Sequence, residues 1–156
     1  MSRIGHPGSE CGGDVDGAAA PVGELTPVTL RIIKHELRTP INHIIGYSEM
    51  LIEDLDSRSD AAALSALQIV FDAGKGMLAA VNAQIGAASD PESFVSSEVR
   101  ASLRLAVGAH VTRVFGVQLE GFSLGGSATF LSDVRKILDA TRRLAAFART
   151  GELPTP

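Results

Sequence analysis

The residues with the clearest chemical potential form the run His35-Glu36-Leu37-Arg38-Thr39-Pro40. A neutral imidazole is a nucleophile at one ring nitrogen when an acceptor holds the other nitrogen in place. His35 therefore has the chemistry of a group-transfer residue, and a carboxylate, a guanidinium and a hydroxyl lie within four positions of it. Alone, such a histidine would be an ordinary surface residue, so the meaning of the run depends on the element that positions it.

An amphipathic helix is predicted around this histidine, because mainly apolar residues recur in alternating steps of three and four. The seam consists of Leu30, Ile33, Leu37, Ile41, Ile44, Ser48, Leu51 and Leu55. His35 is two residues from both Ile33 and Leu37, which is about 200° around the helix from each. Its ring is therefore expected to face solvent, where a partner can reach it.

Pro40 is assigned a structural role within this helix. It cannot donate a backbone hydrogen bond to the carbonyl of Glu36, and its ring clashes with that carbonyl. The sequence thus predicts a bend in the helix just beyond the histidine.

Together with Asn42 and the segment Gly46-Tyr47-Ser48-Glu49-Met50-Leu51, the run resembles the phosphoacceptor box of sensor histidine kinases, the HisKA or DHp family. The resemblance implies that His35 accepts a phosphoryl group, that Glu36 orients the imidazole and acts as general base, and that Thr39 positions the water that removes phosphate. The expected partner-binding residues on the exposed side of the helix are Lys34, Arg38 and Asn42. Arg38 could neutralise incoming phosphate, and a solvated surface charge explains it equally well.

A second amphipathic helix with the same spacing is predicted downstream. Its seam consists of Leu64, Leu67, Phe71, Gly74, Leu78, Val81 and Ile85. The intervening residues 54–60 supply turn chemistry, with Ser59 or Asp60 as the expected N-cap. The stretch Asp72–Leu78 also resembles the second helix of the phosphoacceptor domain. The two helices are therefore expected to form a hairpin.

The rest of the chain resembles a second, degenerate copy of this hairpin. An offset of 66 residues aligns Leu37 with Leu103, and an offset of 67 aligns Asp72 with Asp139, so one residue is inserted in the loop 121–127. At these offsets the second copy replaces His35, Glu36, Thr39 and Pro40 by Ala101, Ser102, Leu105 and Ala106. The second copy therefore lacks the residues that would carry out the chemistry, and its expected role is structural. Shared heptad spacing without duplication is the alternative interpretation.

The pattern favours an all-α fold: a four-helix bundle made of two tandem antiparallel helical hairpins, a pseudo-dimer of the phosphoacceptor domain. Phosphoacceptor domains normally homodimerise to form such a bundle, so a monomer is favoured here over a homodimer. The predicted organisation is a flexible N-terminal tail (1–23), the bundle (24–150) and a C-terminal tail (151–156). Within the bundle, residues 24–88 form the active hairpin and residues 91–150 the degenerate one.

Composition agrees with a small helical bundle. The 156 residues are 45% hydrophobic but only 4% aromatic, so the core must depend on aliphatic side chains. A net charge of −4 argues against nucleic acid as a partner. No stretch reaches ~18 consecutive apolar residues and no secretory signal is recognised, so no membrane partner is expected and the predicted location is cytoplasmic. The single Cys11 cannot form an internal disulfide.

The predicted function is histidine phosphotransfer in a two-component phosphorelay, in which His35 exchanges a phosphoryl group with aspartate receiver domains of response regulators. Sensor kinases carry an ATP-binding domain after the phosphoacceptor hairpin, and its Asn-rich and Gly-rich boxes are not found in this sequence. Autonomous ATP-dependent kinase activity is therefore not expected. As an enzyme the chain would be a phosphohistidine transferase, phosphorylated by a receiver or by a separate histidine kinase ATPase domain.

Two alternative functions remain open at this point. In the first, the chain is the phosphoacceptor and dimerisation part of a sensor histidine kinase without its ATP-binding domain. In the second, it is a non-catalytic interaction module of a signalling protein. No cofactor is expected in this chain, because Mg²⁺ is expected on the partner receiver domain. No metal site is predicted from His6, His43 and His110 either, and His110 is expected to be a core histidine with satisfied hydrogen bonds.

Overall fold

A computed structural model shows four α-helices and no strand within the part of the chain that it describes. The described residues are 27–56, 61–87, 97–119 and 128–154. The helices are α1 (Pro27–Asp56), α2 (Ala61–Ala87), α3 (Ser97–Gly116) and α4 (Ala128–Thr150). The all-α prediction is therefore confirmed. The predicted N-terminal tail and the predicted caps Ser59 and Asp60 lie outside the described residues.

The seam predicted for α1 is the face that the bundle buries. Every member from Ile33 onward is buried, including Ser48, whose hydroxyl donates to the carbonyl of Ile44 at 2.6 Å. That bond satisfies the hydroxyl within the apolar seam. α1 continues through Pro40 as a single helix, and Pro40 is itself buried. The spacing of apolar residues therefore determines which side of α1 faces the core.

The seam predicted for α2 is only partly right. Three of its seven members are buried, and the other four, Leu64, Phe71, Leu78 and Ile85, are half-buried. Val70 and Met77, each one position earlier, take the fully buried places. α2 has apolar residues on several faces, so the packing of neighbouring helices decides which of them reach the core.

α2 is also long and apolar enough, from Ala61 to Gly86, to cross a membrane when judged by length and composition alone. The core helix of a soluble protein passes the same test. In this structure α2 contributes Leu67, Val70 and Met77 to the core, and 39% of its most apolar window is buried. That the protein has no membrane partner is still a prediction.

The four helices form a closed ring around one hydrophobic core. α1 packs against α2 and α4, and α3 packs against the same two helices. Each helix supplies fully buried side chains to this core, among them Ile41, Leu67, Val107 and Ile137. The first helices of the two hairpins therefore occupy opposite corners, and each lies between two second helices. This arrangement confirms the predicted bundle of two tandem hairpins with the topology of a pseudo-dimer.

A polar cluster joins the two hairpins where α4 packs against α1. Asp133 of α4 is buried, and the ammonium of Lys136 donates a hydrogen bond to its carboxylate at 2.8 Å. The same ammonium lies 4.6 Å from the centre of the Tyr47 ring of α1. The hydrogen bond to Asp133 is the main reason why the pKa of Lys136 is raised. The cluster compensates a buried carboxylate and fixes α4 beside α1.

α2 and α3 approach closely where Gly76 faces His110. A Cβ atom on residue 76 would overlap the imidazole ring of His110, so any other residue here forces the ring to move. The ring is half-buried, and its Nδ1 is buried without a hydrogen-bond partner among the described residues. The prediction of a satisfied core histidine is therefore wrong, because the helix backbone opposite the ring already uses its polar groups in its own hydrogen bonds.

The environment of His110 predicts that stability falls in mild acid. Burial, with a smaller contribution from the charge of Arg113, lowers the pKa of His110 from its ordinary value of 6.5. Below that pH the unfolded chain binds a proton here more readily than the folded chain, so the free energy of unfolding decreases as the pH falls. His110→Leu should remove this part of the pH dependence in urea unfolding on either side of pH 6.5. An unchanged pH dependence of stability in His110→Leu would contradict the lowered pKa of His110.

Two glycines inside helices give opposite predictions. Gly76→Ala should destabilise the bundle by about 1–3 kcal/mol, because the new methyl group overlaps the His110 ring. Gly46→Ala in α1 should stabilise it by about 0.5–1 kcal/mol, because beyond the local helix backbone the new Cβ meets no described atom within 4 Å and alanine is the better helix former. Urea unfolding measures both changes. If both variants were stabilised, the close contact between α2 and α3 would be refuted.

Candidate functional site

His35 lies on the outer face of α1, with its side chain 79% exposed. The buried residues Ile33 and Leu37 on either side of it fix the opposite face of the helix in the core. The imidazole is accordingly presented to solvent from a rigid element, as the spacing predicts. A nucleophile in this position can be approached in line by the reacting atom of a partner.

The ring of His35 is oriented by the next residue. Nδ1 of the imidazole lies 3.3 Å from Oε1 of Glu36. A carboxylate can only accept a hydrogen bond, so Nδ1 carries the hydrogen and donates it to Glu36. Nε2 then keeps its lone pair and is the nucleophilic nitrogen. The structure brings the two residues together, and the general-base role of Glu36 is still a prediction.

Thr39 and Asn42 are exposed on the same helix, about one and two turns beyond His35. The hydroxyl of Thr39 donates to the backbone carbonyl of His35 at 3.1 Å. Its hydrogen is thus used within the helix, and only its lone pairs are available to accept a hydrogen bond from water. Water positioning by Thr39 during removal of phosphate therefore stays a prediction, with Thr39 as the acceptor.

A shallow depression of about 320 Å³ lies beside the histidine. It is lined by Arg31, Lys34, His35, Arg38, Thr39 and Asn42. The three residues predicted to bind a partner therefore surround the same place as the histidine, although no contact with a partner tests that role. Three cationic side chains in one small area contrast with the net charge of −4 on the whole chain. The depression thus favours an anionic group beside the imidazole.

Two arginines in this depression have features that were not predicted from the sequence: the position of Arg31 and the burial of Arg38. Arg31 was not identified as a site residue, although it precedes His35 by four positions and so lies one turn earlier on the same face. Arg38 is half-buried, and its Nε is buried without a hydrogen-bond partner among the described residues. A buried donor without an acceptor is unusual in a folded protein. The nitrogen is itself shielded from solvent, so a group from outside the chain reaches it only if the side chain moves.

The second hairpin has an equivalent depression, but no histidine lines it. It is lined by Ala101, Arg104, Leu105, Gly108, Ala109, Thr112, Ala148 and Arg149. At the offset of 66 residues, the first four of these align with His35, Arg38, Thr39 and Asn42. The bundle thus repeats the surface on two sides, and a histidine is present on one of them.

An all-α bundle with an exposed histidine, a neighbouring carboxylate and a cationic depression has the arrangement expected of a helical phosphoacceptor. Residues 29–83, which comprise most of α1 and α2, match the family model described as His Kinase A (phospho-acceptor) domain. The match covers 55 of the 156 residues, about a third of the chain, so the similarity to this family concerns the first hairpin alone. Neither a curated protein nor a solved structure shows a significant match to the chain.

Domains of this family provide phosphoacceptor and dimerisation functions in two-component signalling, where they act with kinase domains and response regulators. The match ends at residue 83, so it does not include the second hairpin. Within residues 27–56, 61–87, 97–119 and 128–154, no group of three or more His, Cys, Asp and Glu side chains could hold a metal ion. For the whole chain, the absence of a metal site is still a prediction.

Proposed function

We propose that this chain is a histidine phosphotransfer protein, in which His35 accepts a phosphoryl group from the aspartate of one receiver domain and donates it to the aspartate of another. The observation that carries the proposal is the fused bundle with a histidine on one of its two equivalent faces. A kinase hairpin obtains its third and fourth helices from a second copy. Here α3 and α4 occupy those places, so the expected form in solution is a monomer.

The geometry of the histidine supports in-line transfer. Nε2 of His35 attacks the phosphorus atom of the receiver's aspartyl phosphate, and the nitrogen–phosphorus bond forms as the phosphorus–oxygen bond breaks. The aspartate carboxylate leaves with the electron pair. The imidazole gains positive charge in this step, and the carboxylate of Glu36 stabilises that charge through the hydrogen bond from Nδ1. The return transfer is the same step in reverse, and the receiver supplies Mg²⁺ in both directions.

The proposed docking surface is the exposed side of α1 around the histidine. Lys34, Arg38 and Asn42 lie on it, together with Arg31. Its positive charge complements the acidic phosphorylation pocket that receiver domains present. On the opposite side of the bundle, the position of the histidine is occupied by Ala101, so a receiver that docked there would find no nucleophile. Each chain is therefore expected to carry one phosphoryl group.

A second candidate function is supported by the family match itself. The match covers only the first hairpin, and it applies equally to the phosphoacceptor and dimerisation part of a sensor kinase. In that case a separate ATP-binding domain would phosphorylate His35, and the protein would work as a homodimer.

Phosphotransfer from a panel of phosphorylated receiver domains distinguishes these functions. A relay protein should take up acid-labile phosphate from at least one receiver without ATP, and should lose it to a second, unphosphorylated receiver. Uptake that requires ATP and a supplied kinase ATP-binding domain would contradict the relay and favour the kinase fragment. If neither condition gives uptake, the non-catalytic interaction module becomes the preferred function.

A further inference from the structure

The second hairpin carries more than half of the positive charge of the protein. α3 and α4 contain eight arginine and lysine residues and three carboxylates, which gives a net charge of +5, whereas the whole chain has a net charge of −4. α1 and α2, which present the histidine, contain four cations and six carboxylates. A helix pair that served only to complete the core would have no reason to concentrate cations. The charge therefore indicates an acidic partner for the second hairpin.

Exposed apolar residues lie on the outer side of α3. Leu105 is 76% exposed and Phe115 is 42% exposed. Steps of three, four and three residues connect them, so they lie on one side of the helix. At the offset of 66 residues, they take the places of Thr39 and Glu49 of α1. Two large apolar side chains thus occupy outer positions that are polar in the first hairpin, as expected of an interaction surface.

This apolar side of α3 borders a groove against α4, with a volume of about 660 Å³. Small residues from both helices line it: Ala101, Gly108 and Ala109 of α3, and Ala148 of α4. A Cβ atom on residue 108 would lie 3.5 Å from the Cβ of Ala148, so the two helices approach closely there. Leu105 lines the groove as well. We call this surface the α3–α4 groove.

Two arginines at the groove connect its two helices. Arg104 and Arg149 both line it. Nε of Arg104 donates to the carbonyl of Ala148 at 3.1 Å, and a terminal nitrogen of the same guanidinium donates to the carbonyl of Arg149. These bonds fix α3 against the last turn of α4. The groove is therefore a preformed surface, which lowers the cost of binding.

The positive charge continues along α4. Arg135 and Arg142 precede Arg149 at intervals of seven residues, so the three lie along one side of the helix, and all are exposed. Asp139 forms an ion pair with Arg142 at 2.7 Å, which leaves this side of α4 positive overall. The α3–α4 groove thus has an apolar edge on α3 and a cationic edge on α4.

We propose that the α3–α4 groove binds an amphipathic helix of a partner protein, whose apolar residues contact Leu105 and Phe115 and whose acidic residues face Arg142 and Arg149. Leu105 and Phe115 are ten residues apart, about 15 Å along α3, which matches about three turns of a helix laid in the groove. The concave shape favours a helix over a flat lipid surface. The site goes beyond the proposed relay, because it is independent of His35.

A synthetic helix tests the groove on the full chain. The probe is a capped, alanine-rich peptide of about 18 residues, with leucines in steps of three and four on one face and glutamates beside them. One matched peptide has lysine in place of each glutamate, and another distributes the same leucines around the helix. Two-dimensional amide NMR spectra should show saturable shifts in α3 and α4 with the acidic peptide. Both matched peptides should bind at least about tenfold more weakly.

Variants of exposed residues separate the two edges of the groove. Leu105→Ala and Phe115→Ala should each weaken binding of the acidic peptide by about tenfold, and Ile32→Ala, an exposed aliphatic residue of α1, is their control. Arg149→Gln should weaken binding and reduce its salt dependence. Arg143→Gln, on another side of α4, is the control with the same change in net charge. Thermal unfolding of each variant confirms that it is folded.

Saturable binding of the acidic peptide that is lost in the groove variants and kept in their controls supports the proposal. Absence of saturable binding, equal affinity for the acidic and basic peptides, or shifts centred on α1 would overturn it. Binding to vesicles of phosphatidylcholine and phosphatidylserine, without binding of the peptide, would overturn it in favour of a lipid surface.

The outcome is separate from that of the relay. The His35→Ala protein should bind the acidic peptide as the wild type does. Peptide binding without uptake of phosphate from any receiver would refute the relay alone. Uptake from a receiver without peptide binding would refute the groove alone.

Discussion

His35→Ala should abolish the uptake of phosphate from every receiver that phosphorylates the wild-type chain. The substitution removes the nucleophilic Nε2, and the depression that surrounds it is lined by no other histidine. Uptake should fall by more than about a thousandfold, as expected when the nucleophile of a group transfer is lost. The measurement is the amount of acid-labile phosphate on the chain after mixing with a phosphorylated receiver.

His43→Ala is the matched control for this substitution. His43 is also an exposed histidine of α1, about two turns beyond His35, and its ring centre lies 6.1 Å from that of Tyr47. It does not line the cationic depression. The variant should therefore take up phosphate as the wild type does. Undiminished uptake by the His35→Ala protein, or an equal loss in both variants, would contradict the assignment of the phosphoacceptor.

Leu103→Ala should destabilise the bundle by about 2–5 kcal/mol, although Leu103 lies in the hairpin without the phosphoacceptor histidine. Leu103 is 1% exposed and aligns with the fully buried Leu37 of α1 in the repeat. Both side chains belong to the single core that the four helices share. A cavity beneath α3 should therefore weaken all four helices together. Urea unfolding followed by circular dichroism should show one transition with a lower midpoint, as for Leu37→Ala.

Leu105→Ala provides the comparison on the same helix. Leu105 is 76% exposed, so its truncation should change the free energy of unfolding by no more than about 0.5 kcal/mol. A second transition in the Leu103→Ala protein, with α1 and α2 unfolding at the wild-type midpoint, would show that the hairpins are independent. That result is incompatible with one fused bundle.

The position of His35 could be predicted because one apolar seam decides the orientation of α1. Ile33 and Leu37 recur at helical spacing and mainly polar residues occupy the other side, so the seam is the face expected to be buried. The exposure of the histidine follows directly. Its hydrogen bond to Glu36 is local, since it joins adjacent residues. The nucleophile His35 and its nearest partner Glu36 could therefore be predicted from the sequence.

The surroundings of that histidine could not be predicted, because they depend on tertiary contacts. Nε of Arg104 donates to the carbonyl of Ala148 near the end of α4, whereas Nε of the aligned Arg38 has no acceptor among the described residues. Heptad spacing does not fix where each helix ends relative to its neighbours. It also left the buried face of α2 undetermined, since Phe71 is as apolar as Val70 and only the packing of α1 and α3 distinguishes them.

Native mass spectrometry after incubation with a phosphorylated receiver tests most directly whether one chain forms the whole phosphoacceptor bundle. The fused bundle predicts a monomer with one acid-labile phosphoryl group, because one of its two equivalent faces carries the histidine. A phosphorylated dimer would contradict it. Such a dimer would mean that two chains are needed for the bundle, as in an ordinary kinase hairpin, and that α3 and α4 do not replace a second copy.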